Sequence, residues 1–269
     1  MGDMVYAKLL TTLYRWRFGE PVEVAEADAE ALVLISDGVG GFDLTSFGLR
    51  HVVGRRGGPQ LVRGVPWGHG WGRWHADLSN VANHRTRSRV LAERVMAWRG
   101  DQPGASVFLV GKSGGTGIVV GALEALPEGA VEAVVLLAPA ISPGYDLSNA
   151  LRAVRRELVV FWSPLDVFTL GVGTLLFGTI DRVHTVAAGL VGFRPPAHLD
   201  DESHRQYAKL RQVRWRPEMV SLGNFGGHIG TDNPAFLQEH VLPLLRTITP
   251  HPTPESPSGS SHPTPAPIT

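Results

Sequence analysis

SVFLVGKSGG, residues 106–115, is the stretch that decides how this chain folds. Its first five residues form an apolar run, which predicts a buried strand. The glycines that follow permit a tight turn, and the apolar residues from Thr116 to Leu126 predict a helix directly after it. A strand, a sharp turn and a helix in succession would hold Ser113 out at the end of the strand.

Two functions compete for this turn. Gly111, Lys112 and Ser113 match the end of a phosphate-binding loop, G-x-x-x-x-G-K-[ST], whose first glycine turns the chain around the phosphates. Here the position of that first glycine is Ser106, inside the predicted strand, and no later strand ends in a magnesium-binding aspartate. The same residues also match G-x-S-x-G, the turn that exposes a nucleophilic serine. We therefore reject the phosphate-binding loop and interpret this turn as one that presents a nucleophilic serine.

Strands and helices alternate along the rest of the chain. The predicted strands are ALVLIS (31–36), QLVRGV (60–65), SVFLV (106–110), VEAVVLLA (131–138), LVVFW (158–162) and EMVSLG (218–223). The predicted helices are NHRTRSRVLAERVMAWRG (83–100), Thr116–Leu126, LSNALRAVRREL (147–158) and PAFLQEHVLPLLR (234–246). Nearly continuous apolar strands between helices are typical of a parallel sheet with helices on both faces. The sequence therefore predicts the α/β class.

The composition limits the classes of function. The 269 residues carry a formal net charge of +0 with a pI near 7.2, so no strong field would gather nucleic acid, and we expect no nucleic-acid partner. The length suits one domain with a sizeable core, which we place at residues 1–248. Cysteine is absent, which excludes disulfides, thiolate metal sites and cysteine nucleophiles.

The two ends of the chain differ from its middle. Residues 1–20 lack the long apolar stretch and the cleavage site of a secretory signal, so we expect a cytoplasmic protein. An amphipathic helix is predicted there by four apolar residues, Leu9, Leu10, Leu13 and Trp16. Residues 249–269 are rich in proline, serine and threonine, which predicts a disordered tail. The apolar run at 167–180 is too short and too rich in glycine to be a transmembrane segment.

A serine hydroxyl is a weak nucleophile at neutral pH and needs a histidine base and an acid that orients it. Asp166 follows the strand LVVFW, and His228 follows the predicted strand EMVSLG, so Ser113, Asp166 and His228 would meet at the carboxyl edge of the sheet. Ordinary roles compete with this interpretation. Ser113 could cap a helix, His228 could be a turn residue, and Asp146 is a rival acid.

This pattern resembles the α/β-hydrolase fold over roughly residues 31–246. The elbow GKSGG and the later aspartate and histidine carry the resemblance, which implies catalytic roles for Ser113, Asp166 and His228. It also implies a mostly parallel sheet and neither a metal nor an organic cofactor.

The resemblance extends to the loop DGVGG (37–41), which is similar to the family's oxyanion loop, although Asp37 stands where the family usually has histidine. By that match, the backbone N–H groups of Val39 and Gly114 would form the oxyanion hole. The family's N-terminal antiparallel strands would be reduced to PVEVAEA (21–27). Residues 167–213 would form an insertion between the acid and the histidine, with the character of a lid.

Two segments are candidates for contact with a substrate. The loop PWGHGWGRWHAD (66–77) holds Trp67, Trp71 and Trp74, which would either line the cleft or pack beside it. Its histidines lack a ligand pattern for a metal. The apolar stretch that follows the acid holds Leu176 and Phe177, which we expect to line an acyl pocket or to belong to the core.

The sequence thus predicts a serine hydrolase that cleaves small carboxylic esters with an apolar acyl part through an acyl-enzyme. Two alternatives stay open. The same triad could act on amides or thioesters, as a hydrolase or a transferase, or the chain could be a non-catalytic protein that binds ligand on this fold. The oligomeric state does not follow from the sequence.

Overall fold

The computed structural model describes residues 24–246, together with Thr12, Trp16, Arg17 and Gly19. The helix predicted around Leu9, Leu10 and Leu13 and the tail predicted at 249–269 lie outside the described residues. Trp16, the last member of the predicted helix, is exposed.

The described residues form a six-stranded sheet in which all pairs are parallel, with the strand order β2-β1-β3-β4-β5-β6. The strands are β1 (Ala31–Ser36), β2 (Gln60–Gly64), β3 (Ser106–Lys112), β4 (Val131–Leu137), β5 (Val154–Trp162) and β6 (Leu210–Arg214). The α-helices are α1 (Leu44–Arg56), α2 (Trp74–Ser79), α3 (Val81–Asp101), α4 (Gly115–Ala125), α5 (Ser148–Arg152), α6 (Thr174–Phe177), α7 (Ala188–Val191), α8 (Asp201–Tyr207) and α9 (Pro234–Phe236). Short 3₁₀ and π turns occupy Glu26–Asp28, Phe168–Gly173, Pro217–Leu222, Gly230–Asp232, Leu237–Val241 and Leu242–Leu245.

Helices cover both faces of the sheet because successive strand residues point to opposite sides. Leu32 and Leu34 of β1 pack with α3, α4 and α5 in one apolar cluster. Val33 and Ile35 pack with α1 and the C-terminal turns in a second cluster on the other face. The predicted α/β architecture is therefore confirmed, and it brings the ends of β1, β3 and β5 to a common edge. No helix of the described residues is both long and apolar enough to cross a bilayer.

The last strand is not where the sequence placed it. The prediction put a strand at 218–223 and none in 167–213, but β6 is Leu210–Arg214 and Pro217–Leu222 is a 3₁₀ turn. Proline at the start of that turn and Gly223, with φ 75°, at its end favour the turn over a strand. The sequence hides β6 because it is an edge strand with largely exposed polar side chains, so no apolar run marks it.

Two predicted helices are shorter or less regular than expected. The helix predicted at 147–158 ends at Arg152, because the residues after it enter β5 and pair with β4. The helix predicted at 234–246 is regular for a few residues and then passes through a π turn and a 3₁₀ turn. Pro243 lies in that last turn, and its missing N–H removes one helical hydrogen bond.

The N-terminal strands expected at 21–27 are absent from the described residues. Residues 24 and 25 are irregular and Glu26–Asp28 forms a 3₁₀ turn, while residues 21–23 lie outside the described range.

Candidate active site

Ser113 lies on a strained turn between β3 and α4. Its φ is 50°, which is uncommon for a residue other than glycine. A side chain at Gly115 would overlap the backbone oxygens of Ser36 and Asp37, and a Cβ at Gly111 would lie 2.8 Å from Thr116 Cα. The glycines of the turn are therefore required by close backbone approach, as in a nucleophile elbow.

The turn places Ser113 within hydrogen-bond distance of a histidine that is itself paired with an acid. Ser113 Oγ lies 2.9 Å from His228 Nε2, and His228 Nδ1 lies 2.6 Å from Asp166 Oδ2. The side chain of Asp166 is 3% exposed and that of His228 is 21% exposed. The acid is thus shielded from water while the imidazole keeps an open edge.

The rival acid lies in a different environment. Asp146 accepts hydrogen bonds from Ser148 N at 2.9 Å and from Ser148 Oγ at 2.6 Å, and Tyr207 also donates to it. The structure therefore brings Asp166, and not Asp146, to the imidazole of His228.

Each of the three side chains comes from a different loop at the carboxyl edge of the sheet. Ser113 follows β3 directly, and Asp166 lies shortly after β5. His228 was expected directly after a strand, but it lies in the loop between the 3₁₀ turns Pro217–Leu222 and Gly230–Asp232. The parallel sheet is the one that the resemblance to the α/β-hydrolase fold predicted, and its loops carry Ser113, Asp166 and His228 in that order along the chain.

The loop 37–41 runs beside the elbow. A Cβ at Gly38 would lie 3.5 Å from Ser113 Cβ, and one at Gly114 would lie 2.6 Å from Val39 Cγ1. Neither the Val39 nor the Gly114 N–H takes part in the backbone hydrogen bonds that hold the turns and loops of residues 24–246. Val39 and Gly114 therefore lie beside each other at the elbow, and neither amide has a backbone acceptor in those loops.

Two carboxylates hold this loop in place. Asp77, which is fully buried, accepts a hydrogen bond from Gly40 N at 2.7 Å. Asp37 accepts from Ser46 N at 3.1 Å and from the Ser46 hydroxyl. Asp37 lines a cavity, yet protein surrounds it closely enough that burial raises its pKa to about 7, against the lowering effect of the Ser46 hydrogen bonds.

The three tryptophans of the loop 66–77 have different environments. Trp67 is buried, its Nε1 donates to the Asp37 carbonyl at 2.7 Å, and its ring packs against Gly114. Trp71 packs edge-on against Phe42, and both rings line a cavity of about 630 Å³. Trp74 is 39% exposed. Trp67 thus packs against the turn at Gly114 from the protein interior, whereas part of the Trp74 side chain is accessible to a ligand.

The apolar segment after Asp166 is largely exposed. Phe168 is 87% exposed, Leu176 is 65% exposed and Phe177 is 42% exposed. Phe177 packs edge-on against Trp74, with ring centroids 5.1 Å apart. The segment 167–177 and the tryptophan loop therefore meet and form one apolar wall, which contains both predicted acyl-pocket residues.

No group of three or more metal-ligating side chains occurs among residues 24–246. His69 is instead held by Asp77 Oδ1 at 2.9 Å and Asn80 Nδ2 at 3.1 Å, and His75 packs against Trp74. The two histidines of the loop thus have structural partners.

The sequence reasoning missed Lys112, which directly precedes the elbow serine. The side chain is buried, and its Nζ lies against Thr231, Asp232 and the carbonyl oxygen of His228. The available signal was the position of this lysine: it interrupts an apolar strand and is one of few lysines in the chain.

Comparisons with known proteins find only distant likenesses. No family model matches the chain, and no curated protein matches it. Among solved structures it is similar to esterase PE8, with 16% identity, a TM-score of 0.47, and coverage of 84% of this chain and 98% of that chain. It is similar to the poly(3-hydroxybutyrate) depolymerase LpqC of Bordetella parapertussis, with 15% identity, a TM-score of 0.49, and coverage of 81% and 80%. A Trichoderma reesei cutinase in complex with a phosphonate inhibitor has 16% identity, a TM-score of 0.41, and coverage of 59% and 72%.

Proposed function

We propose that this chain is a serine hydrolase that cleaves carboxylic esters through an acyl-enzyme. The observation that carries the proposal is the hydrogen-bonded series from Ser113 Oγ to His228 Nε2 and from His228 Nδ1 to Asp166, at 2.9 and 2.6 Å. A weak nucleophile, a base in reach of its proton and a buried acid that orients the base are what acyl transfer to serine requires.

The first half of the reaction forms the acyl-enzyme. Ser113 Oγ attacks the carbonyl carbon of the ester while His228 Nε2 takes the hydroxyl proton. Asp166 holds the Nδ1–H tautomer and stabilises the imidazolium that forms. The N–H groups of Val39 and Gly114 donate to the oxyanion of the tetrahedral intermediate. The intermediate then collapses, and His228 gives its proton to the departing alcohol.

The second half repeats these steps with water. His228 removes a proton from a water molecule, whose oxygen attacks the acyl carbon. The new oxyanion uses the same two amides, and Ser113 leaves with the proton from His228. The products are a carboxylic acid and an alcohol, and the serine is restored without any cofactor.

The proposed substrate has an apolar acyl part. The wall formed by Trp74 and the segment 167–177 carries exposed aromatic and aliphatic side chains. Leu176 and Phe177 are its proposed substrate contacts, together with Trp71 of the loop 66–77. Trp67 of that loop is buried and is not proposed as a contact. Each methylene of an acyl chain that this wall removes from water contributes ~0.8 kcal/mol to binding.

The test combines a covalent probe with turnover. A fluorophosphonate reacts with activated serines, so we expect it to label the wild-type chain and not Ser113→Ala. Hydrolysis of p-nitrophenyl esters by Ser113→Ala should fall by ~10⁴ or more. Ser221→Ala, a change at an exposed serine, is the control. A wild-type chain that resists the probe and hydrolyses no ester would favour the non-catalytic alternative and overturn the proposal.

A further inference from the structure

The ammonium group of Lys112 contacts residues 226–232, the segment that carries His228 and is here called the histidine loop, at three points. Its Nζ donates to Thr231 Oγ1 at 2.7 Å and to the backbone carbonyl of His228, and it lies 3.6 Å from Asp232 Oδ2. Lys112 is the last residue of β3 and the immediate neighbour of Ser113. The elbow and the histidine loop are therefore joined by one side chain.

Both charges of this pair are buried. The side chains of Lys112 and Asp232 are 6% and 4% exposed, and Asp232 also accepts from Thr45 Oγ1 at 2.5 Å. Burying an ammonium group is unfavourable unless hydrogen bonds and an opposite charge compensate for lost hydration. An apolar residue would fill this space without that cost, so the lysine requires another explanation.

The loop that carries His228 needs an anchor. Glycines at 226, 227 and 230 surround the histidine, and Gly226 has φ 82°. Glycines lower the cost of many backbone conformations, so such a loop does not hold a side chain in one place by itself. Apart from its ring contacts, His228 is held by Lys112 through its own carbonyl.

We propose that Lys112 is a positioning residue for His228. Because Lys112 and Ser113 are adjacent, the turn that presents Oγ also carries the group that fixes the backbone of the base. The separation of Ser113 Oγ and His228 Nε2 then depends on the peptide unit between Lys112 and Ser113 and on the hydrogen bond from Lys112 Nζ to the His228 carbonyl. The inference rests on the proposed function for its effect on turnover, but the anchoring itself does not depend on any substrate.

The experiment distinguishes two roles for Lys112: it either positions the backbone of His228 or only neutralises the buried charge of Asp232. Lys112→Met alone leaves Asp232 buried without its cation, so the informative variant is the double change Lys112→Met with Asp232→Asn, which removes both charges. Lys209→Met is the matched control. Lys209 Nζ also donates to backbone carbonyls, those of Val154 at 2.8 Å and Leu151 at 3.2 Å, but it does so outside the loops of the candidate active site.

Two measurements are made on the full chain. In proton NMR spectra, the deshielded proton shared by His228 Nδ1 and Asp166 should be visible in the wild type and in Lys209→Met, and lost or shifted in the double variant. In ester hydrolysis, kcat of the double variant should fall ~10²-fold with KM within ~2-fold, because a misplacement of ~1 Å is enough for such a loss. The melting temperature should stay closer to the wild type than that of Lys112→Met.

The results decide between the alternatives. A double variant that keeps both the deshielded proton and kcat shows that the pair only balances charge, and it overturns the inference. If the wild type hydrolyses no ester, the proposed function fails, while the NMR comparison still judges the anchor. Lys112→Leu with Asp232→Asn removes the same charges and the same hydrogen bond with a different apolar side chain, so it serves if the first double variant does not fold. A fall in its kcat supports the inference, and an unchanged kcat and proton resonance overturn it.

Discussion

Asp37 should make the folded chain less stable as the pH rises, and replacing it with asparagine should remove this effect. Burial raises the pKa of this carboxyl from its ordinary 3.8 to about 7, and the charges of Asp232 and Asp43 add to the rise. Asparagine has the same shape and can keep both Ser46 contacts, accepting from the Ser46 N–H and donating to the hydroxyl.

The sign and size follow from proton binding. Between pH 3.8 and about 7 the folded state holds a proton on Asp37 that the unfolded chain has released. The contribution of this group is therefore fully present below the lower value and is lost as the pH rises through the upper one. Each pH unit in this window corresponds to ~1.4 kcal/mol, so the full loss is about 4 kcal/mol above the window.

Urea denaturation at roughly unit pH intervals between about pH 4.5 and 8.5 measures the free energy of unfolding of both proteins. We expect the free energy of unfolding of Asp37→Asn to gain on that of the wild type by ~1.4 kcal/mol per pH unit until about pH 7, and then to run parallel. Asp101→Asn, which removes one negative charge at an exposed position away from this loop, controls for net charge. A difference between wild type and Asp37→Asn that does not change with pH would refute the reasoning.

Three further outcomes follow from the site. Phe177→Ala should lower kcat/KM more for long than for short acyl esters, by several-fold, because it removes part of the apolar wall. A uniform change across chain lengths would show that Phe177 does not contact the acyl chain. Gly115→Ala should reduce turnover ~10²-fold or more, since a methyl group there displaces the backbone beside the elbow, whereas Gly144→Ala, which has open space, should be silent in the same assay. Trp67→Phe should lower the free energy of unfolding by ~1–3 kcal/mol, because the part-buried carbonyl of Asp37 loses the donor that lies 2.7 Å from it. Trp98→Phe is its control, since the Trp98 Nε1 has no hydrogen-bond partner among the described residues, and equal losses for the two variants would contradict the role of the hydrogen bond.

The sequence predicted the centre of the fold because its strands are buried on both faces. β3 and β4 lie between other strands and are covered by helices, so their residues are nearly all apolar and form recognisable runs. β6 pairs on one edge only, and its exposed residues give no such run. The 3₁₀ turn at 217–222 has the apolar content of a strand, and only Pro217 and Gly223 reveal its ends.

The order of the candidate catalytic residues was predictable for a different reason. Parallel strands bring their carboxyl ends to one edge, so residues that directly follow strands meet there wherever they lie in the sequence. This argument places Ser113 and Asp166, which come directly or shortly after β3 and β5. The same argument placed His228 correctly but for a wrong reason, because the strand predicted at 218–223 is a 3₁₀ turn. His228 lies at the carboxyl edge of the sheet because the segment that follows β6 returns to that edge.

The side chains that hold the loops of the candidate site in place could not be predicted from the sequence, because they contact segments that are distant along the chain. Asp77 accepts from Gly40 N, 37 residues away, and Lys112 Nζ donates to the His228 carbonyl, 116 residues away. Chemistry restricts which side chains can attack or take a proton, so those positions have recognisable residue types and spacing. A buried anchor can be any donor that meets any acceptor, and only the folded arrangement shows which one does. For Lys112, the position next to Ser113 was visible in the sequence, but its partners at 231 and 232 were not.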